Sequence, residues 1–142
     1  MRILILCTGN SCRSQMAEGI LRELNPENDI FSAGTRPEKA VNPFAIATMK
    51  EIGIDISAAH PKNVNGFLES KFDYVITVCD NAKESCPVFI GEVTSRLHIG
   101  FEDPADAVGS DEEKLQVYRK VRDQIKAEFV KFYSGIISSG KG

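Results

Sequence analysis

Apolar and polar positions follow two rhythms along this chain. Ile3-Leu4-Ile5-Leu6 is an unbroken apolar run of strand length, the pattern of a strand buried on both faces. Met16, Ala17, Ile20, Leu21 and Leu24 then recur at helical spacing and predict a first helix from about Gln15. Pro26 to Asn28 breaks that pattern, and Asp29-Ile30-Phe31-Ser32 predicts a second strand ending at Ala33-Gly34-Thr35, with Gly34 permitting a tight turn. Asn42-Pro43 has the form of a helix start, with Phe44, Ala45, Ala47, Met49 and Ile52 as its apolar residues and Gly53 as its stop. Ile54 to Ser57 is ambiguous, and a brief helix is expected around Val64 to Leu68. Asp73-Tyr74-Val75-Ile76-Thr77-Val78 predicts a third, buried strand ending at Cys79, and Arg96-Leu97-His98-Ile99 a fourth leading to Asp103-Pro104. Between them, residues 80–86 are read as a short helix or a loop. Ser110 and Glu113 form a capping box for a last helix, whose inner face takes Leu115, Val117, Tyr118, Val121, Ile125, Phe129 and Phe132 and which ends near Gly135.

Strands alternating with helices predict an α/β fold: a single domain over residues 1–137, with a four-stranded parallel sheet flanked by helices on both faces and a flexible tail at 138–142. Ligands of such sheets sit beyond the carboxyl ends of the strands. Cys7, Cys79 and Asp103 each stand at such an end, so three reactive side chains from three strands are expected on one edge. Between the first strand and the first helix runs Cys7-Thr8-Gly9-Asn10-Ser11-Cys12-Arg13-Ser14. A short polar loop there turns several backbone N–H groups into a bowl at the positive end of a helix, a site for a tetrahedral oxyanion held by residues Thr8 to Ser14. Arg13 adds a planar fork of donors for two of its oxygens. Cys7, beneath the same amides, is expected as a thiolate and hence a nucleophile. The plainer reading, a structural cysteine beside a surface arginine, is disfavoured by the Cys-x5-Arg-Ser spacing directly after the first strand.

Composition narrows the class without changing it. The chain has 142 residues, enough for one domain, with 42% hydrophobic and 26% charged residues. A formal net charge of −3 argues against binding nucleic acid or an anionic membrane. No apolar run has transmembrane length and the first residues lack the layout of a signal peptide, so a cytoplasmic, monomeric protein is expected. Zinc is poorly supported: the pairs Cys7/Cys12 and Cys79/Cys86 are spaced too widely and neither His60 nor His98 lies near a cysteine. Nucleophilic or redox chemistry is the better account of the four cysteines. Cys12 is expected to be a buried, unreactive thiol, the two histidines to be structural, and Asn10 to shape the loop by side-chain hydrogen bonds or a left-handed backbone.

Cys7 through Gly19, the Ser32-Ala33-Gly34 turn, Val78-Cys79 with Cys86-Pro87, and Gly100-Phe101-Glu102-Asp103-Pro104 together resemble the thioredoxin-coupled arsenate reductases, which share the fold of the low-molecular-weight tyrosine phosphatases. The resemblance runs from residue 3 to about residue 130. It implies that Cys7 attacks arsenate held by the loop and Arg13, with phosphate or sulfate as analogues. Ser14 would hydrogen-bond the thiolate and Asp103 would protonate the departing oxygen. Cys79 and then Cys86 would act as resolving thiols, with thioredoxin as reductant and no cofactor. Were residues 79–86 helical, the two Cα atoms would stand about 10 Å apart, too far for a disulfide, so that segment is expected to unwind on oxidation. Some relatives bind potassium through residues matching Asn10, Glu18 and Ser32. The further acidic ligand is Asn65 here, and no metal is expected. Two rivals remain: a tyrosine phosphatase, which usually has an aromatic residue where Ala105 follows Asp-Pro, and a non-catalytic redox sensor, for which Arg13 and Asp103 would be superfluous.

Overall fold

A computed structural model describes residues 1–80 and 88–138. Arg2–Cys7 forms β1, Arg13–Leu24 α1, Asp29–Gly34 β2, Pro43–Lys50 α2, Lys71–Thr77 β3, Glu92–His98 β4 and Asp111–Ser138 α3, with 3-10 turns at Val64–Phe67 and Pro104–Asp106. The strands make one parallel sheet in the order β2-β1-β3-β4. The order reverses between β1 and β3, and that crevice lies above Cys7 and just before Cys79.

β1 is central, and Ile3, Leu4, Ile5 and Leu6 are all fully buried, as an apolar run without alternation requires. Its residues serve two cores. Ile3, Ile5 and Cys7 face Met16, Ala17, Ile20 and Leu21 of α1, Ala45 and Met49 of α2, and Tyr118, Val121, Ile125 and Phe129 of α3. Leu4 and Leu6 face the opposite way, onto Val64, Phe72, Val75 and Phe89, with Phe31, Phe67 and Leu68 packed against them. Both faces of the sheet are therefore covered, but unequally: the three α-helices share one face. Among the described residues the other is closed by the 3-10 turn at Val64–Phe67 and an aromatic cluster in which Phe72 meets Phe89 edge-on at 5.7 Å.

The helix boundaries follow from local chemistry. Asn42 Oδ1 accepts the Phe44 N–H at 2.8 Å, Pro43 takes the first helical position, and Gly53, at φ +81°, ends the segment beyond α2. Ser110 and Glu113 exchange both bonds of the capping box, Glu113 N to Ser110 Oγ at 3.2 Å and Ser110 N to Glu113 Oε1 at 2.8 Å. Two boundaries differ most from expectation. α3 continues through Gly135 to Ser138, because a glycine inside a helix costs only about 1 kcal/mol and stops nothing unless the chain turns left-handed there. Of the tail expected at 138–142, Ser138 is thus helical and residues 139–142 lie outside the described residues. β4 begins four residues earlier than its apolar pattern indicates, since an edge strand pairs through its backbone (Lys71 with Glu92, Phe72 with Val93) and needs no buried side chains to do so.

Candidate active site

β1 ends at Cys7, and the chain crosses residues 8–12 before α1 begins at Arg13. Every carbonyl of this crossing is engaged from behind. Thr8 O accepts from Arg36 N at 3.0 Å, Gly9 O from Glu38 N at 2.9 Å, Ser11 O from Asn42 N at 3.0 Å and Cys12 O from Met16 N at 2.9 Å. Asn10 O accepts from Gln15 Nε2 at 3.2 Å. In a trans peptide the next residue's N–H points opposite to the carbonyl, so the N–H groups of Gly9 to Arg13 turn toward the other side. There lies a hollow of about 290 Å³ lined by Cys7 to Arg13 with Arg36, Glu38, Asp103 and Ala105. α1 starts two residues earlier than its apolar face suggests, and no side chain caps it, which leaves its first N–H groups to an anion.

The loop is held by one buried side chain. Asn10 adopts φ +53°, its Nδ2 donates to Ser14 Oγ at 2.7 Å and Ser32 Oγ at 2.9 Å, and its Oδ1 accepts from Gln15 Nε2 at 3.2 Å and Lys62 N at 2.9 Å. The two roles considered for Asn10 are both taken. Gly34 serves differently from the turn expected of it. It is the last residue of β2, opposite Cys7, and a Cβ there would meet Thr8 O at 2.4 Å, so glycine is required for close approach rather than for a turn.

Arg13 is almost wholly buried, donating from Nη1 to Phe101 O at 3.1 Å, and its Nη2 stands 3.5 Å from Asp103 Oδ2. Asp103 reaches the loop because pairing with β3 continues past β4: Ile99 N donates to Thr77 O at 2.9 Å and Phe101 N to Val78 O at 3.1 Å. Its Oδ1 accepts from Ala105 N at 3.0 Å, with Pro104 starting the 3-10 turn. Neither Cys7 nor Cys12 is in a disulfide. Cys79 follows Val78, whose N–H donates to Leu6 O at 3.0 Å, so it emerges at the same sheet edge as Cys7 and is buried in the same core cluster. Cys79 is disulfide-bonded. Cys86, and the unwinding expected of residues 79–86, fall on residues outside those described.

The low molecular weight phosphotyrosine protein phosphatase pattern matches residues 2–139. The chain belongs to this family. Within it, an arsenate reductase of Halalkalibacterium halodurans is 50% identical over 124 residues, which cover 87% of this chain and 88% of the relative. A solved arsenate reductase in its oxidized state superposes with a TM-score of 0.76 at 30% identity, covering 95% of this chain and 98% of the other. A thioredoxin-dependent arsenate reductase of Corynebacterium glutamicum shares the fold, with a TM-score of 0.66 at 23% identity, covering 98% of this chain and 63% of that one.

Ala105, directly after Asp103-Pro104, lines the hollow with a methyl group. Cys12 is buried beneath the loop. Its Sγ lies 3.5 Å from Tyr118 Oη and 3.7 Å from Ser11 Oγ, and burial pushes its thiol pKa up, against the smaller opposing effect of those bonds. Ser14 is fully buried and does not line the hollow; since its Oγ accepts from Asn10, its hydroxyl hydrogen remains to be donated.

Where relatives bind potassium, Glu18 accepts from Ser32 Oγ at 2.5 Å and from Arg22 Nε at 2.8 Å, and Lys62 Nζ lies 3.8 Å from it. Desolvation lowers the pKa of Lys62, with Glu18 opposing that shift. With a protein cation already at Glu18 and Asn65 exposed on the Asn63 cap, the residues do not fit potassium. Among the described residues no cluster suits a metal. The histidines lie apart from the hollow, with His98 Nδ1 2.8 Å from Thr77 Oγ1 and the His60 carbonyl accepting from Gln15. Sequence reasoning missed Arg36 and Glu38. They sit in a short polar stretch with no periodicity, and only their position just after Ser32-Ala33-Gly34 hinted at them.

Proposed function

We propose that this family member reduces arsenate to arsenite by a three-cysteine relay, with Cys7 as nucleophile and Cys79 and Cys86 as resolving thiols. The loop amides and Arg13 hold the oxyanion, and the same amides with the α1 N-terminus favour the Cys7 thiolate, to which Ser14 donates its spare hydrogen. Cys7 Sγ attacks arsenic, and Asp103 gives its proton to the departing oxygen, which leaves as water. Cys79 then attacks Cys7 Sγ. The electron pair of the S–As bond stays on arsenic, arsenite departs, and a Cys7–Cys79 disulfide remains. Cys86 attacks Cys79, frees Cys7 as a thiolate and moves the disulfide outward, where a thioredoxin dithiol reduces it. Such a cycle belongs in the reducing cytoplasm, and no helix among the described residues is long and apolar enough to cross a membrane.

One observation carries this reading. Cys79 is in a disulfide while Cys7 and Cys12 of the loop are in none, as the relay requires of a resolving cysteine once the nucleophile has been released. Phosphate-ester hydrolysis on Cys7, Arg13 and Asp103 needs no such bond, and Ala105 offers no ring for phosphotyrosine. The test is arsenate-dependent NADPH oxidation with thioredoxin and thioredoxin reductase. Wild type turns over repeatedly, Cys86→Ser stops after about one turnover, and Cys7→Ser is inert. Equal steady rates for wild type and Cys86→Ser would refute the relay, and turnover by Cys7→Ser would refute the nucleophile.

A further inference from the structure

Two charged side chains at the mouth of the hollow have no part in the relay. The stretch from residue 35 to residue 42 hooks over the loop, and its N–H groups at Arg36, Glu38 and Asn42 are the ones that engage the carbonyls of Thr8, Gly9 and Ser11. The backbone at 36 and 38 is thus fixed to the loop itself. Both side chains line the hollow together with Cys7 and Arg13. Among the described residues, neither the Arg36 guanidinium nor the Glu38 carboxylate makes a hydrogen bond or ion pair. An arginine and a glutamate left unpaired two positions apart, at the entrance of an anion site, call for a functional account.

Glu38 has a second face. With Ser11 and Ala105 it also lines a neighbouring hollow of about 500 Å³, bounded further by the stretch from Lys39 to Pro43. Ser11, Glu38 and Ala105 are therefore the wall between the two. A free oxyanion is small enough to fit wholly inside the inner hollow of about 290 Å³. Its aryl ester would have to send the ring out past this wall, stripping water from a carboxylate that gains no partner in exchange.

We infer that Arg36 and Glu38 form an entrance filter, Arg36 drawing in and helping to hold a small free dianion and Glu38 turning away its esters. The inference rests on the oxyanion site of the proposed function and names what that site selects. Arg36 acts as a second cation outside Arg13, on the exposed side where its field reaches solvent and is screened by salt. Selectivity then comes partly from a repulsive element, as discrimination between near-isosteric groups requires.

The test uses the reduced full-length protein and four variants, Arg36→Ala, Arg36→Lys, Glu38→Gln and Glu38→Ala. Calorimetric binding of inorganic phosphate to wild type examines the oxyanion site on its own, and absence of that binding would overturn the site and the filter alike. Given binding, Arg36→Ala weakens phosphate about three- to tenfold at low ionic strength and less in about 0.5 M salt. KM for arsenate rises in parallel, kcat is unchanged, and Arg36→Lys restores most of the loss. Glu38→Gln and Glu38→Ala bind phosphate about two- to threefold tighter and raise kcat/KM for p-nitrophenyl phosphate about tenfold, the alanine more than the glutamine. Unchanged phosphate affinity in Arg36→Ala, or a fall in kcat in place of a rise in KM, overturns the role of Arg36. Aryl-ester turnover no better in either Glu38 variant overturns the role of Glu38.

Discussion

The back and the front of the oxyanion loop are built on opposite terms. Behind it, Asn10, Ser14, Gln15 and Ser32 are buried and joined in one hydrogen-bonded network centred on Asn10. In front of it, Arg36 and Glu38 share the backbone hydrogen bonds of the loop, yet their charged ends are exposed and unpaired among the described residues. A buried polar network is costly to disturb because an orphaned group loses its water as well as its partner. A rim charge in water is cheap to change and acts over a longer range. The back therefore fixes geometry, and the front sets which anion arrives.

That contrast can be broken by mutation. The largest effect is expected at Asn10. Asn10→Ala removes the side-chain bonds to Ser14, Ser32, Gln15 and the Lys62 amide and puts an unfavourable residue at φ +53°, so stability should fall by about 3 kcal/mol in chemical denaturation and arsenate turnover should collapse with it. Asn10→Gly keeps the backbone freedom and should lose less. Gly34→Ala comes next, because its methyl group would meet the Thr8 carbonyl; about 2 kcal/mol of destabilisation and a loss of phosphate affinity are expected, the second read by calorimetry. A Gly34→Ala protein of wild-type stability would show that loop and β2 are less tightly joined than the contact requires. The front should respond as described above, in KM without loss of stability.

Two smaller effects sharpen the comparison by pH. Cys12 has its thiol pKa raised by burial, so the folded protein holds that proton longer than the unfolded chain does. Its contribution to stability is full below the unfolded value and is lost as pH rises through the folded one. Iodoacetamide should therefore label reduced Cys7 well before Cys12 at pH 8, as mass mapping would show, and equal labelling would contradict the assignment. Glu51 is the opposite case and lies far from the loop. Hydrogen bonds from Arg119, chiefly, and then Arg122 outweigh desolvation and hold its carboxyl below the usual range. The unfolded chain takes up that proton first as pH falls, so the contribution is present above the ordinary glutamate value and lost below it. Glu51→Gln should flatten the acid side of the Tm profile slightly and leave arsenate kinetics unchanged.

Much of this was legible without coordinates because it is local. The apolar run at Ile3–Leu6, the Asn42-Pro43 start and the Ser110/Glu113 box involve residues a few positions apart, and their backbone preferences act before any long-range contact forms. Cys7 and Arg13 fall in the same class, since a loop between a buried strand and a helix can be read from its two neighbours. Tertiary structure alone decided the rest. It carried Asp103 back over Arg13 by extending the β3 pairing beyond β4, laid Arg36 and Glu38 across the mouth, and made Gly34 obligatory through a carbonyl far away in sequence. The physical reason is the same in each case: sheet register brings together residues tens of positions apart, and nothing in their immediate sequence records which partner they will meet.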